Sequence, residues 1–282
     1  ATPGRMFDLV SQGHLKLNTV EVLAVDEADQ MLKLGFLKDI RDLIRFLPKK
    51  RQTLFFSATI NEEIKKLAYS LVNSSAIRIQ ISPKDPVSKN VSHAVTFVEM
   101  DDKRFFLERF VNENPDKKIL VFVRTQVRAE RVCKAMERVG IVVGTIHGGK
   151  EQKDRLEVLG RFREGTLKIL VATDVSARGI DIPNVDYVIN YDLPDVAENY
   201  VHRVGRTGRG DKKGQALSFC SPEERPMLAE IETYLTNRIA VLEIDKNEYG
   251  ETLRMTQDVG DKWKDVLSEI EEAEKWRKGK KK

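Results

Sequence analysis

The sequence predicts an α/β protein of two lobes, each organised around a parallel sheet, followed by a helical, basic C-terminal extension. Three observations carry this. Short apolar, β-rich runs alternate with longer amphipathic stretches, the pattern of βαβ units. The polar stretch Ile81-Ser82-Pro83-Lys84-Asp85-Pro86-Val87-Ser88-Lys89-Asn90 has two prolines and no helical period, and it divides that alternation. The last eight residues, Lys275 to Lys282, hold six Lys or Arg and no acid. The lobes are placed at 1–80 and 93–240, the linker at 81–92 and the extension at 241–282.

Taken in order, Val20 to Val25 and Thr53 to Phe56 read as buried strands, with helical patterns at 36–47 and 61–72. In the second lobe Ile119 to Val123 reads as a strand. Gln126 to Val139 reads as a helix stopped by Gly140. Further strands are expected at Ile141 to Ile146, Ile169 to Ala172, Tyr187 to Ile189 and Gln215 to Cys220, and a helix at 223–237. Phe105, Phe106 and Phe110 fall at helical spacing and are expected in the core. Trp263, Val266, Leu267, Ile270 and Ala273 repeat at helical spacing ahead of the basic end.

Composition excludes several classes. Hydrophobic content of 41% and charged content of 33% fit a folded, water-soluble chain. No apolar run is long enough to span a bilayer, and no secretory signal is present, so no membrane partner is expected. Cys133 and Cys220 lie far apart without metal-ligand spacing, which points to buried thiols in a reducing cytoplasm. The net charge of +4 belongs to the tail, since the rest of the chain holds 42 basic against 44 acidic residues. Any grip on nucleic acid by the body must come from placed groups.

Four segments carry chemistry. Val22-Leu23-Ala24-Val25-Asp26-Glu27-Ala28-Asp29 is an apolar strand ending in carboxylates, at the sheet edge where α/β proteins bind ligands. One carboxylate there suits Mg²⁺ held through water, and a neighbour suits proton abstraction from an attacking water. Equally, the segment reads as a strand running into an acidic helix start. Thr53-Leu54-Phe55-Phe56-Ser57-Ala58-Thr59 is a strand ending in hydroxyls. Val171 to Pro183, with Thr173-Asp174-Val175-Ser176-Ala177-Arg178-Gly179-Ile180-Asp181 at its centre, leads from a strand into a polar turn. His202-Arg203-Val204-Gly205-Arg206-Thr207-Gly208-Arg209-Gly210 sets three arginines among three glycines, suited to phosphate or to a flexible loop.

In that order the segments resemble motifs II, III, V and VI of the DEAD-box RNA helicases. Thr2-Pro3-Gly4-Arg5 is similar to the family's motif Ib, Ile119 to Thr125 to its motif IV, and His147-Gly148 with Gln152 and Arg155 to the segment after that. The run from Glu223 to Asp245 looks like the bacterial RhlE branch. The resemblance implies two RecA-like lobes, ATP and Mg²⁺ as cofactors, and RNA as the partner, bound mostly by its backbone. It implies roles as well. Asp26, through water, and Glu27 would serve Mg²⁺ and the attacking water. Arg206 and Arg209 would meet the phosphates, and Asp181 the ribose. Asp29, Ser57, Thr59 and His202 would link the ATP state to lobe closure. Thr2, Arg5, Arg124, Arg155 and Thr173 would grip RNA. Ribosome assembly or RNA turnover is the implied setting.

The family's P-loop, adenine-reading glutamine segment and first RNA motif are not found in these residues. They are expected upstream of Ala1, which leaves the first lobe incomplete, with exposed apolar edges, and this chain alone nearly inactive. Gly144-Thr145-Ile146-His147-Gly148-Gly149-Lys150 has G-x4-G-K spacing, but Glu151 follows where a hydroxyl should meet Mg²⁺, so it is not read as a P-loop. His14 and His93 are expected to be surface or turn residues. Trp263 and Trp276 could stack on bases or pack a helix on the second lobe. Three functions stay open on the residues: an RNA-stimulated ATPase, an RNA-binding scaffold without catalysis, and a motor on DNA.

Overall fold

Local signals in the sequence set several elements near the start of the chain. The computed structural model describes residues 1–58, 60–73, 75–80, 86–177, 185–208 and 212–254. They divide into two units, Ala1–Ile81 and Ser82–Lys282. In the first, α1 (Pro3–Ser11) opens with a proline whose fixed φ suits the first helical turn. β1 (Val22–Val25) pairs in parallel with β2 (Gln52–Phe55), from Val22 opposite Gln52 to Val25 opposite Phe55. Between them lie α2 (Ala28–Lys33) and α3 (Leu37–Arg45), and α4 (Glu62–Leu71) follows. The Asn61 side chain caps α4 by accepting from the Ile64 amide at 2.8 Å, and Glu62 and Glu63 lie in its first turn. Leu23 and Val25 bury one face of β1 against Leu17, Ile40, Leu43, Leu67 and Leu71. The other face is bare: Val22 is 53% exposed, and Phe56, just past β2, is equally so.

The second unit is a seven-stranded parallel sheet in the order β5-β6-β4-β7-β8-β3-β9. Its elements run β3 (Val91–Phe97), α5 (Lys103–Glu113), β4 (Ile119–Val123), α6 (Gln126–Arg138), β5 (Val143–Ile146), α7 (Gln152–Glu164), β6 (Ile169–Thr173) and α8 (Asp174–Ala177). Then come β7 (Tyr187–Asn190), α9 (Ala197–Val204), β8 (Gly214–Cys220), α10 (Arg225–Leu235) and β9 (Ala240–Val241). Every position of β4 and β6 is buried, as expected where helices cover both faces of a parallel sheet. Leu120, Phe122, Leu170 and Ala172 enter one core layer, and Ile119, Val121, Val123, Ile169 and Val171 the other. Each Val, Leu, Ile or Phe among them contributes about 1.5–3 kcal/mol when fully buried. Gly140, at φ 78°, follows the end of α6, the left-handed stop read from the sequence.

Several elements differ from the sequence reading. β3 begins at Val91 and takes His93 into the sheet, where its Nδ1 lies 2.9 Å from the Tyr200 hydroxyl; it is not a turn residue. The strand runs VSHAVTF, whose serine and histidine hide it from a search for apolar runs. Phe106 is core and Phe110 packs against it, but Phe105 is only half-buried, with the Arg104 guanidinium over its ring. Residues 246–254 are helical and pack on α5: the Tyr249 hydroxyl donates to Asp102 at 2.7 Å, and Arg109 pairs with Glu248 at 2.9 Å. Trp263, Trp276 and the basic tail lie outside the described residues. Among those described, no helix is long and apolar enough to cross a membrane.

Candidate functional site

In the first unit the carboxyl ends of β1 and β2 are stitched together. The Phe56 amide donates to the Val25 carbonyl at 2.8 Å, and the Ala28 amide returns to the Phe56 carbonyl at 3.2 Å. This fixes the path through Asp26 and Glu27. Asp26 is exposed and accepts from the Glu27 amide at 2.8 Å. Glu27 is held left-handed, at φ 51° and ψ 42°, a conformation that costs an L-residue about 1–2 kcal/mol. Asp29 is buried in the first turn of α2, where its carboxylate accepts from the Gln30 amide at 3.1 Å. Ser57 is half-buried just after β2. Thr2 stands at the N-terminus of α1, and Arg5 is an exposed side chain ion-paired to Asp8.

Among the described residues no cluster of three or more His, Cys, Asp or Glu could form an all-protein metal cage. The donor chemistry at Asp26 still fits Mg²⁺, which keeps most of its waters and needs only one or two carboxylates. An exposed carboxylate at a parallel-sheet edge meets that requirement.

In the second unit, pairing places three of the sequence-identified residues near one edge. Val123 is opposite Thr173, and Ile146 is opposite Ala172, so Arg124, Thr173 and the turn beginning at His147 follow adjacent strand ends. At about 4.8 Å between strands, these ends span roughly 10 Å. Thr173 is buried and its hydroxyl lies 3.3 Å from that of Ser176. Arg155, on α7, bonds Gln152 at 3.1 Å while its Nε has no hydrogen-bond partner among the described residues.

Arg124 stands on a buried ionic network. Its guanidinium reaches Glu224 at 3.4 Å and Asp195 at 3.6 Å, and its amide donates to Asp192. Glu224 and Asp192 are each 1% exposed and flank Lys103, which is fully buried, ion-paired with Glu224, and donates to the Tyr191 carbonyl at 2.8 Å. Burial pulls the Lys103 amine below its ordinary range, against the opposing pull of Glu224. A cavity of about 400 Å³ opens here, lined by Arg124, Arg128, Arg131, Asp192 and Asp195. Its three guanidiniums suit anionic groups.

Motif residues divide sharply on α9 and after it. Arg203 is 1% exposed and points into the protein: two of its nitrogens bond Asp174 at 2.6 and 2.8 Å, and another bonds the Asp192 carbonyl at 2.7 Å and Asn190 at 3.3 Å. Arg206 is half-buried, and its Nε bonds the His202 carbonyl at 3.2 Å. Thr207 donates to the Val185 carbonyl at 2.6 Å. Gly208, at φ 67°, has no room for a side chain: a Cβ would stand 2.7 Å from Val91 and 2.9 Å from the Asn90 carbonyl. Thr59, Asp181 and Arg209 lie outside the described residues. The Arg203–Asp174 pair was not singled out from the sequence; an arginine among glycines gives no sign that it turns inward. Gly144 lies inside β5, packed against Leu167 and Val158, so the G-x4-G-K run forms no phosphate loop.

Known proteins resemble this arrangement. The DEAD/DEAH box helicase profile matches residues 1–67, and that of the helicase conserved C-terminal domain matches 102–211. The ATP-dependent RNA helicase RhlB of Shewanella woodyi is 43% identical over 246 residues, 86% of this chain and 56% of that protein. The ATP-dependent RNA helicase DbpA of Bacillus subtilis is 40% identical over 248 residues, 88% of this chain and 51% of its own length. The structure of S. cerevisiae Dbp5 bound to RNA and ADP BeF3 matches with a TM-score of 0.77 at 30% identity, covering 92% of this chain and 68% of that one. The chain spans about half the length of the curated relatives it matches.

Proposed function

The chain belongs to the DEAD/DEAH box helicase family, and from that premise we propose that it works as an ATP-dependent RNA helicase. It would bind single-stranded RNA without base specificity and separate short duplexes using ATP hydrolysis. The observation that carries this is Glu27, held left-handed beside an exposed Asp26 at the end of β1. Non-glycine residues held in such a conformation cluster at functional sites.

In this reading Asp26 holds Mg²⁺ through water, and the ion when bound neutralises charge on the phosphates. Glu27 orients the attacking water and takes its proton. Arg206 and Arg209 meet the charge of the transferred phosphoryl group, and Asp181 touches the ribose. Asp29, Ser57, Thr59 and His202 couple the nucleotide state to RNA binding. Thr2, Arg5, Arg124, Arg155 and Thr173 hold RNA phosphates and sugars, contacts that position a strand without reading its bases. ATP and RNA then tighten each other's binding. The 282-residue chain turns over ATP slowly in this reading, because none of its described segments forms the backbone cradle for the phosphates. The run from Glu223 to Asp245 supports the RhlE branch, and ribosome assembly or RNA turnover in the cytoplasm is the setting.

The test is ATP turnover with and without single-stranded RNA, on this chain and on any longer product of the reading frame that contains it, each with Glu27→Gln. RNA-stimulated turnover in the longer product, lost in the variant, is the expected result. RNA binding without turnover in any form would replace the helicase by a binding module. A preference for DNA over RNA in competition would replace it by a DNA motor.

A further inference from the structure

At the end of the edge strand β5 the chain turns through His147, Gly148, Gly149 and Lys150 before entering α7. His147 is buried while both glycines are exposed. The buried ring is held at both nitrogens. Nδ1 accepts from the Gly149 amide at 3.2 Å, so the neutral imidazole carries its proton on Nε2, which donates to Glu130 at 2.8 Å. Glu130 also takes Lys150 at 2.8 Å and lies 3.4 Å from the Thr145 hydroxyl, reaching strand and turn together. The hydrogen bond from His147, followed by that from Lys150, holds its carboxyl down at about 2. One helical turn earlier on α6, Gln126 packs against the same turn. A Cβ on Gly149 would stand 2.6 Å from its side-chain oxygen, and one on Gly148 would stand 3.3 Å from its nitrogen.

These contacts form a chain that starts in α6 and ends at an exposed backbone. Glu130 fixes the tautomer and orientation of His147, and His147 fixes the Gly149 amide. The turn so fixed follows the strand end next to Thr173, with Arg124 one strand further along. Glu130 itself has the wrong charge to contact a nucleic-acid backbone.

We infer that Glu130 is a positioning residue for RNA: acting through His147, it sets the shape of the Gly148–Gly149 turn that lies against the RNA backbone. The inference rests on the proposed RNA grip. It goes beyond a stability role, because the turn that Glu130 shapes is exposed. It also differs in sign from plain electrostatics: removing an acid beside a polyanion raises affinity, whereas removing a positioning group lowers it.

The experiment uses the full chain with a fluorescein-labelled ten-nucleotide oligouridylate as probe, and compares wild type, Glu130→Ala and Glu130→Gln. Nitrogen-15 spectra report the His147 ring nitrogens and the Gly149 amide, and urea midpoints check that all three fold. We expect Glu130→Ala to shift the Gly149 amide, to mix the His147 tautomers and to weaken oligouridylate binding roughly fivefold, the size of one loosened backbone contact. Glu130→Gln keeps an oxygen for Nε2–H and should restore the spectra and most of the affinity. Unchanged or tighter binding by Glu130→Ala overturns the inference, as does equal loss in both variants. If wild type does not bind the probe, the RNA reading fails and the inference falls with it. Tautomer mixing in Glu130→Ala would then show that the contact chain exists but serves something else.

Discussion

Replacing Arg203 by Met tests whether two arginines three residues apart do different work. The guanidinium of Arg203 makes a two-pronged pair with Asp174, bonds Asn190 and the Asp192 carbonyl, and lies 5.1 Å from the centre of the Phe122 ring. Methionine keeps the length and the apolar stem but removes the charge and its donors. Breaking a fully buried pair by deleting one partner costs about 3–5 kcal/mol. Asp174 is 22% exposed, so water recovers part of that, and a discount to about 2–3 kcal/mol is appropriate. The buried Asn190 oxygen and Asp192 carbonyl lose a donor, adding about 1 kcal/mol. The sum is about 3–4 kcal/mol. With a urea m value of about 2–3 kcal/mol/M for a unit of this size, the midpoint should fall by roughly 1–2 M. Hydrogen exchange in urea, followed in peptides covering β7 and β8, reads this unit separately from the other. Arg206→Met, at a half-buried position, should cost under about 1 kcal/mol, so its expected effect is on turnover. Equal midpoints for the two variants would refute a structural role for Arg203. So would a double-mutant cycle with Asp174→Asn that shows no coupling.

Glu27→Gly removes the left-handed penalty and should raise the melting temperature of the first unit, by an amount matching about 1 kcal/mol, while abolishing RNA-stimulated turnover in the longer product; a fall in melting temperature would show that Glu27 is not strained. Glu130 gives a pH dependence of defined sign. Its folded carboxyl lies at about 2 against an ordinary 4.5, so its contribution is complete above 4.5 and is lost as pH falls toward 2. Acid titration of stability should therefore be shallower in Glu130→Gln than in wild type across that window, and parallel curves would contradict it.

Much of the second unit could be read in advance because its central strands are continuous apolar runs. Ile119 to Val123 and Ile169 to Ala172 are buried on both sides and need no alternation to be recognised. β3 escaped because Ser92, His93 and Thr96 break that pattern; the strand is held by its neighbours β8 and β9 and not by its own composition. The short helices α2, α8 and α9 escaped for a related reason, since each is fixed by the strand end before it or the core beneath it. At the site, residue types revealed where chemistry concentrates but not which way each side chain turns. Asp26 and Glu27 are adjacent and chemically alike, yet one is exposed in an ordinary conformation and the other is left-handed. Arg203 and Arg206 share a motif, yet only the first is a core residue. The ion pair with Asp174 and the bond to the Asp192 backbone carbonyl decide that, and no local pattern reports it.

The order of the seven-stranded sheet has a consequence for the protein during its synthesis. β3 is made first among these strands but is flanked by the last two, so Val91 finds its partner Gly214 only after roughly 120 further residues have been added. At ribosomal speeds of about 5–20 residues per second, that is a wait of several seconds to tens of seconds. Until β8 is made, the VSHAVTF segment lacks the partner that the folded sheet gives it. Its serine and histidine, which conceal it from pattern recognition, also lower its tendency to stick to other nascent chains while it waits.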